Sequence, residues 1–141
     1  MADNSTFSYG VGLHNVGSYR VAGDPWVSGS DAHATGDGEV KYELPWVAKR
    51  LVVHNYSDNT LRVHFNSTDN PGVTAATGAH YLEVGSATGS NSVLDLECKC
   101  KEFYVSVPAG TGRYRVYAEL TGIPTGRMYA LTGSGLTDYV E

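Results

Sequence analysis

The stretch that decides the fold class lies late in the sequence and reads Arg113-Tyr114-Arg115-Val116-Tyr117-Ala118-Glu119-Leu120. Every second side chain in it can enter a core, and charged residues and a second tyrosine stand between. Successive side chains of a β-strand point to opposite faces, so this period of two separates an inner set from an outer set. The stretch therefore predicts a strand with one buried face.

The same alternation continues outward along the chain, in residues 61–66 and 103–107. Weaker strand candidates are residues 19–22, 39–44, 48–56, 79–84 and 92–98. Clusters of Gly, Pro, Asn, Asp and Ser separate these stretches, and no segment carries the apolar stripe of a helix. About eight short strands predict an all-β, single-domain antiparallel β-sandwich over residues 1–141, with a jelly-roll-like topology.

The turn sequence Ser57-Asp58-Asn59 predicts a β-hairpin between its two flanking stretches. A three-residue loop would pair Val53 with Val63 and Leu51 with Phe65, which places both apolar sets on one side. The predicted core combines this hairpin with the other alternating stretches and consists of Leu51, Val53, Leu61, Val63, Phe65, Leu94, Leu96, Phe103, Val105, Tyr114, Val116, Ala118 and Leu120.

The two ends of the sequence differ from this alternating middle. Residues 1–17 are rich in Gly, Asn and Ser, and residues 122–141 contain Pro124 and several glycines. Isolated apolar and aromatic side chains are spread through both ends. This pattern predicts extended N- and C-terminal arms that reach a neighbouring molecule, and an arm folded back over its own sandwich fits the same pattern.

The composition favours a surface that is partly covered by a partner. Charged residues are 18% of the 141 residues, against about 25% in an ordinary globular domain. Tyrosine is abundant at 10 residues, and tyrosine is enriched at protein interfaces. Tyrosine is also a good strand former, so its abundance fits a β-rich fold without any interface.

The charge pattern argues against nucleic acid as a partner. The formal net charge is −5 and the ten basic residues are scattered, whereas phosphate binding needs clustered Lys and Arg. No apolar run approaches a membrane span, and the polar start Met-Ala-Asp-Asn-Ser-Thr lacks a signal-peptide core. We therefore expect no membrane partner and synthesis in a cytoplasm.

Motifs for catalysis, cofactors and metals are not found. The sequence has no G-x-S-x-G nucleophile motif and no phosphate-binding glycine loop. His54 and His64 are interpreted as surface residues that lie near each other on the outer face of the predicted hairpin. Cys98 and Cys100 lack a second ligand pair for zinc, so we expect reduced, metal-free thiols. We expect a non-enzymatic protein without cofactors.

The two tryptophans each follow a proline, as Pro25-Trp26 and Pro45-Trp46. Exposed tryptophan beside tyrosine would form a platform on which sugar rings stack, whereas buried tryptophan would close the ends of a sandwich. Both interpretations stay open at the level of sequence.

Several strand and turn segments together resemble a known family. They are Gly17-Ser18-Tyr19-Arg20-Val21 with Pro25 and Gly29-Ser30, Pro45-Trp46-Val47-Ala48-Lys49-Arg50, Leu61-Arg62-Val63-His64-Phe65-Asn66-Ser67-Thr68, Ala118-Glu119-Leu120-Thr121-Gly122-Ile123-Pro124 and Met128-Tyr129-Ala130-Leu131-Thr132-Gly133-Ser134-Gly135-Leu136-Thr137. From residue 14 onward, the chain resembles small virion structural proteins of marine and cyanobacterial tailed bacteriophages.

This resemblance implies a β-sandwich displayed on the virion as a capsid decoration or cement protein. Such a protein would be assembled in the host bacterial cytoplasm, form a homo-oligomer, and bind the major capsid protein or other virion proteins. The apolar and aromatic residues of the arms, with the two tryptophans, are then the candidate partner-binding residues: Phe7, Tyr9, Trp26, Trp46, Met128, Tyr129, Leu131 and Leu136.

Other functions remain open on the sequence alone. A head- or tail-fibre component, or a neck or tail protein, would have the same composition. A receptor- or carbohydrate-binding module predicts Trp26 or Trp46 exposed beside polar groups on one rim. A hydrolase predicts a concave acidic cleft.

Overall fold

A computed structural model describes residues 12–13, 16–17, 23–67 and 80–131. Within these residues the chain forms seven strands and two short 3-10 turns, Thr35–Asp37 and Thr125–Arg127. The strands are β1 (Asp24–Ala34), β2 (Val40–Asn55), β3 (Leu61–His64), β4 (Leu82–Val84), β5 (Val93–Leu96), β6 (Cys100–Ser106) and β7 (Thr111–Pro124). All their pairings are antiparallel, and the all-β prediction is confirmed.

One long strand, β2, connects two groups of strands. Residues 40–43 of β2 pair with β6, which continues to β3 and β4; we call this group the second sheet. Residues 48–55 pair with β7 on one side, and residues 51–54 pair with β5 on the other; with β1 beside β7 these strands form the first sheet. The β2 register shifts between Glu43 and Ala48, and irregularities of this kind bend a strand.

The two sheets share one hydrophobic core, as in a β-sandwich. The first sheet contributes side chains such as Val53 and Val116, and the second contributes Phe103 and Val63, all fully buried. Ten of the thirteen predicted core residues are buried: Leu51, Val53, Leu61, Val63, Phe103, Val105, Tyr114, Val116, Ala118 and Leu120. The other three, Phe65, Leu94 and Leu96, are only partly buried.

The two sheets approach each other closely at one glycine. A Cβ on Gly112 of β7 would lie 2.8 Å from Leu61 Cδ2 of β3 and 2.9 Å from Val107 Cγ2. Any larger residue there must displace apolar groups that are already packed. Tyr42 and Tyr114 also join the sheets, since their hydroxyls lie 2.8 Å apart.

The predicted hairpin between residues 51–56 and 61–66 is wrong. β2 and β3 do not pair: Val53 lies opposite Val116 and Leu94, whereas Val63 lies opposite Val105 and Leu82. The loop between these strands therefore carries the chain from the first sheet to the second.

A buried asparagine, Asn55, holds this crossing loop. Its Nδ2 donates to the carbonyl oxygens of Asn59 (2.7 Å) and Gly85 (2.9 Å). Its Oδ1 accepts from the Ser57 backbone N–H (2.9 Å) and from Ser57 Oγ (2.7 Å). These bonds satisfy backbone groups of the loop itself and of Gly85 after β4, so they stabilise the crossing.

Several element boundaries also differ from the predicted ones. β1 begins at Asp24, inside a predicted turn, and β2 continues through Pro45, which separated two predicted strands. The β1 chain can approach β7 because residue 29 is glycine: a Cβ there would lie 2.3 Å from the Tyr114 carbonyl oxygen. β7 runs to Pro124, past the start of the predicted C-terminal arm. The predicted strand at residues 19–22 lies outside the described residues.

We predict that Phe103→Ala lowers the free energy of unfolding by about 3–5 kcal/mol, because it removes a fully buried ring and leaves a cavity. The ring stacks on Tyr42 with centroids 5.1 Å apart. Val93→Ala, at an exposed position, should change the free energy by less than about 0.5 kcal/mol. Denaturant unfolding of both variants tests this, and equal small effects would mean that the inner face of β6 is misassigned.

We also predict that Asn55→Ala destabilises the fold by about 2–3 kcal/mol, since it leaves buried carbonyl groups without their donor. Asn55→Asp should be destabilising too, because a carboxylate keeps the acceptor and loses the donor. Asn91→Ala, at an exposed asparagine, is the matched control. Chemical denaturation measures the change in the free energy of unfolding for each variant. An equally small change for Asn55→Ala and Asn91→Ala would contradict the role of Asn55.

Candidate partner-binding surfaces

The eight predicted partner-binding residues separate into different environments. Phe7, Tyr9 and Leu136 lie outside the described residues. Trp46 is 43% exposed on β2, and Trp26 is half-buried. The remaining three, Met128, Tyr129 and Leu131, belong to an apolar cluster inside the protein.

Trp26 belongs to the main core rather than to a surface. Its ring meets Tyr42 and Phe103 edge-on, with centroids 6.2 Å and 6.4 Å away. Trp46 is different, because it projects from the irregular part of β2, opposite Pro124 of β7. Of the two tryptophans, Trp46 is therefore the one that is available to a partner.

A second apolar cluster includes Val47, the residue that follows Trp46 in β2. It contains buried Leu13, Val47, Ile123 and Met128, with Tyr129 and Leu131 packed against it. Met128 is only 5% exposed and packs inside this cluster, so its contact with a partner stays a prediction. The cluster fixes residue 13 and residues 128–131 against the same part of the fold. These parts of the two predicted arms are therefore folded back onto their own protein.

Two hydrogen bonds hold residues 128–131 in place. Lys101 Nζ donates to the Met128 carbonyl oxygen at 2.9 Å, and Asn66 Nδ2 donates to the Leu131 carbonyl oxygen at 2.7 Å. The donors come from β6 and from the segment after β3, so this stretch crosses the second sheet. Its path is set by specific bonds to backbone groups as well as by apolar packing.

The outer face of the first sheet carries an apolar row. Val27 on β1, Tyr117 on β7 and Val52 on β2 are neighbours in register across three strands. Val27 is 66% exposed, and the exposed Val93 lies on β5 beside His54. A contiguous apolar row on a sheet face is typical of a surface that another protein covers.

Two groups of ion pairs flank this row. At one end, Arg50 donates to Asp95 (2.9 Å and 2.6 Å) and to Glu119 (3.3 Å). These contacts lower the pKa of the Asp95 carboxyl, with the hydrogen bond from Arg50 as the main cause. This group, two carboxylates and one guanidinium, has a net negative charge.

The group at the other end has the opposite sign. Arg115 donates to Asp31 at 2.7 Å, and Arg113 Nε lies 3.6 Å from the same carboxylate. The hydrogen bond from Arg115 is the main cause of the lowered pKa of Asp31. The exposed Tyr56 ring, beside Arg113, stacks on His54 with centroids 5.8 Å apart. Two guanidinium groups against one carboxylate give this end a net positive charge.

Two side chains on the outer face of the second sheet are buried. His64 and Tyr104 point away from the core there, yet they are 0% and 9% exposed. Their rings stack in parallel, with centroids 5.6 Å apart. The two histidines predicted to lie together are therefore separated, His54 on the first sheet and His64 on the second, and the prediction that His64 is a surface residue is wrong.

Three hydrogen-bonded side chains, His33, Tyr114 and Tyr42, form a polar network across the core. The sequence pattern does not predict this network. His33 Nε2 lies 2.7 Å from the Gly38 carbonyl oxygen, and His33 Nδ1 lies 3.2 Å from Tyr114 Oη. Tyr114 Oη in turn contacts Tyr42 Oη. Burial is the main cause that raises the pKa of Tyr114, so the phenol stays protonated and can donate. Each polar side-chain group of His33, Tyr114 and Tyr42 has a hydrogen-bond partner, and a fully satisfied buried network of this kind is typical of a structural role.

The two cysteines lie in contact on the second sheet side of the core. Cys100 is fully buried and Cys98 is half-buried. The hydrogen bond between the thiols and burial raise the pKa of Cys100, and the same bond lowers the pKa of Cys98. Among the described residues, no group of three or more His, Cys, Asp or Glu side chains could hold a metal ion. Within the same residues, no helix is both long and apolar enough to cross a membrane.

Comparison with known proteins finds no matching family, no similar curated protein and no similar solved structure.

We predict that His64 makes the folded protein less stable in mild acid. Burial lowers the pKa of His64 from 6.5, helped by Arg62 and opposed by the Asn66 carbonyl and by Glu39, 3.9 Å away. The unfolded chain therefore takes up this proton at higher pH than the folded chain. The free energy of unfolding should be highest above pH 6.5 and fall as the pH drops toward the folded pKa.

Denaturant unfolding at several pH values between about 7.5 and 5 tests this titration. His64→Gln should lower the stability at neutral pH and reduce its dependence on pH. His54→Gln, at an exposed histidine, is the matched control for the substitution itself. If the free energy of unfolding depends on pH in the same way in the original chain and in His64→Gln, then His64 is not the cause of the loss of stability in acid.

Proposed function

We propose that this chain is a non-enzymatic structural protein of a tailed-phage virion, a decoration or cement protein that binds the capsid shell. The proposal rests on the resemblance of the sequence segments and on one structural observation. That observation is the apolar cluster that holds residue 13 and residues 128–131 at Val47, the residue that follows the exposed Trp46 in β2.

This cluster gives both predicted arms a common root. Leu13 and Leu131 pack at the same cluster, so residues 1–11 and 132–141 continue from one region of the fold. Segments that become ordered on a neighbour lose about 1–2 kcal/mol of backbone entropy per residue, and a fixed root limits how much of the arm must be ordered. Trp46, at this root, is the anchor that we assign to the contact with the shell.

The strand order supports a role in a virion. With the two parts of β2 counted separately, the first sheet has the order β1-β7-β2-β5 and the second has the order β2-β6-β3-β4. We interpret this order as a jelly roll, an architecture that occurs in viral capsid and lectin domains. The same architecture hosts unrelated functions, so it adds less weight than the cluster and Trp46.

Many copies on a symmetric shell would compensate for a weak single contact. Linked copies bind with an effective concentration that raises the overall affinity by orders of magnitude. One exposed tryptophan and two short arms are therefore sufficient for stable decoration. The major capsid protein is the partner that we propose, and the virion is the place where the chain acts.

A carbohydrate- or receptor-binding module is the second candidate, and the same tryptophan favours it. An indole that is 43% exposed offers an apolar face on which a sugar ring can stack. The two functions make different predictions, because a glycan-binding protein needs no shell and no arms. Glycan-array binding that Trp46→Ala abolishes, together with no binding to heads, would favour this second function.

We predict that the purified protein co-sediments with empty, undecorated heads of a cyanobacterial tailed phage. Trp46→Ala should weaken this binding about 30-fold, since truncating a central interface tryptophan costs about 2 kcal/mol or more. Leu82→Ala, at an apolar residue of nearly equal exposure (42%) on β4, is the matched control. Removal of residues 1–11, or of residues 132–141, should weaken binding while Leu13 and Met128 keep the cluster intact.

A thermal melt of each variant separates loss of binding from loss of folding. Folded variants that bind poorly support the proposal. Heads that fail to retain the original chain at any concentration tested, or folded variants that all bind as well as it does, would contradict it.

A further inference from the structure

The outer face of the first sheet has apolar side chains across its middle and opposite net charges at its two ends. Its apolar row, Val27-Tyr117-Val52, runs across β1, β7 and β2, and Asp95 continues it in register on β5. Arg115 and Glu119 lie on β7 two residues to either side of Tyr117, so they are about 13 Å apart. One end of the face is net positive and the other is net negative.

We propose that this face binds the same face of a second copy of the chain. The two-fold axis would run along the apolar row, in the plane of contact. Rotation about this axis lays the row on itself and reverses the strand direction. The positive end around Arg115 then lies over the partner's negative end around Glu119, and this contact occurs twice.

Charge complementarity selects this arrangement among the possible ones. A two-fold axis along the strands would place Arg115 and Arg113 over the same residues of the second copy, which like-charge repulsion disfavours. A nucleic acid would contact both ends, including the carboxylates of Asp95 and Glu119, and the chain is net negative. A second copy places Arg115 over Glu119 twice, and the Asp95 carboxylates that meet at the axis stay paired with Arg50 of their own chains.

The other faces of the described fold are less suitable. The outer face of the second sheet already has His64 and Tyr104 buried. On the outer face of the first sheet, Val27 of the edge strand β1 is 66% exposed, and Tyr56 at the positive end is 51% exposed. Sheets that stack face to face keep their strands within about 30° of each other, so an apolar row across the strands is suited to such packing.

The size of the face sets the expected strength. Four strands about 4.8 Å apart, over about seven residues of 3.3 Å each, give roughly 450 Å² per copy. This is smaller than the roughly 800 Å² per partner of a standard stable interface, so we expect a weak dimer. The pairing requires nothing from a capsid, and it can be measured on the free protein.

Sedimentation velocity of the full chain from about 5 to about 500 µM tests the pairing, because this range brackets a weak dimer. Arg115→Glu and Glu119→Arg should each raise the dissociation constant about tenfold, since each change makes both ends alike in charge and acts twice in a two-fold interface. The double variant restores opposite ends and should return to within about threefold of the original. Glu83→Lys, on β4, is the charge-reversal control.

Two further measurements keep the test decisive if a charge variant folds poorly. Val27→Lys places a cation in the apolar row at an exposed position and should abolish the dimer. Raising the salt concentration of the original chain should also weaken the dimer several-fold, since exposed charges are screened. A chain that stays monomeric over the whole range, a dimer insensitive to Val27→Lys, or a double variant weaker than both single variants would overturn the proposal.

Discussion

The rest of the structure depends on the double pairing of β2. Its first residues are bonded to β6 and its last residues to β7 and β5, so one strand belongs to both sheets. The register shift around Pro45 makes this possible, because proline has no N–H to donate and the ladder is interrupted there. Once both ends of β2 are paired, the apolar faces of the two sheets oppose each other. The core then follows from ordinary burial of Val, Leu and aromatic side chains.

Most of the core could be predicted from the alternating pattern, but the strand partners could not. Alternation predicts which side chains face inward, and Val53 and Val63 are indeed both buried. Alternation does not predict which strand lies alongside, and these two residues do not lie opposite each other. The decisive signal was Asn55, whose side chain turns the chain toward the other sheet and which looks like any polar residue before a turn. β1 was missed because Asp, Pro, Gly and Ser fill it, and glycine at residue 29 serves close strand contact rather than a turn.

The sequence predicts that apolar residues of the arms make contacts, but it does not predict where in the fold these contacts lie. Apolar residues in the arms predict contacts; Leu13 and Met128 make such contacts within the chain itself, whereas Val16 is 71% exposed. Burial of His64 needs the neighbouring Tyr104 and the Asn66 carbonyl, which no spacing rule brings together. The fold therefore has an open outer face on the first sheet and an exposed Trp46 next to Val47 of the second cluster. We assign these last two surfaces to different contacts, the open face to a second copy and the Trp46 region to the shell.

The central claim is that the chain is part of an assembled virion. Electron microscopy of purified phage particles, labelled with a gold-conjugated antibody against this chain, tests it most directly. If the chain decorates the shell, gold label should be seen at repeated positions over the surface of the head, and these positions should follow the symmetry of the shell. Particles without label, from infected cells in which the chain is abundant in the soluble fraction, would contradict it.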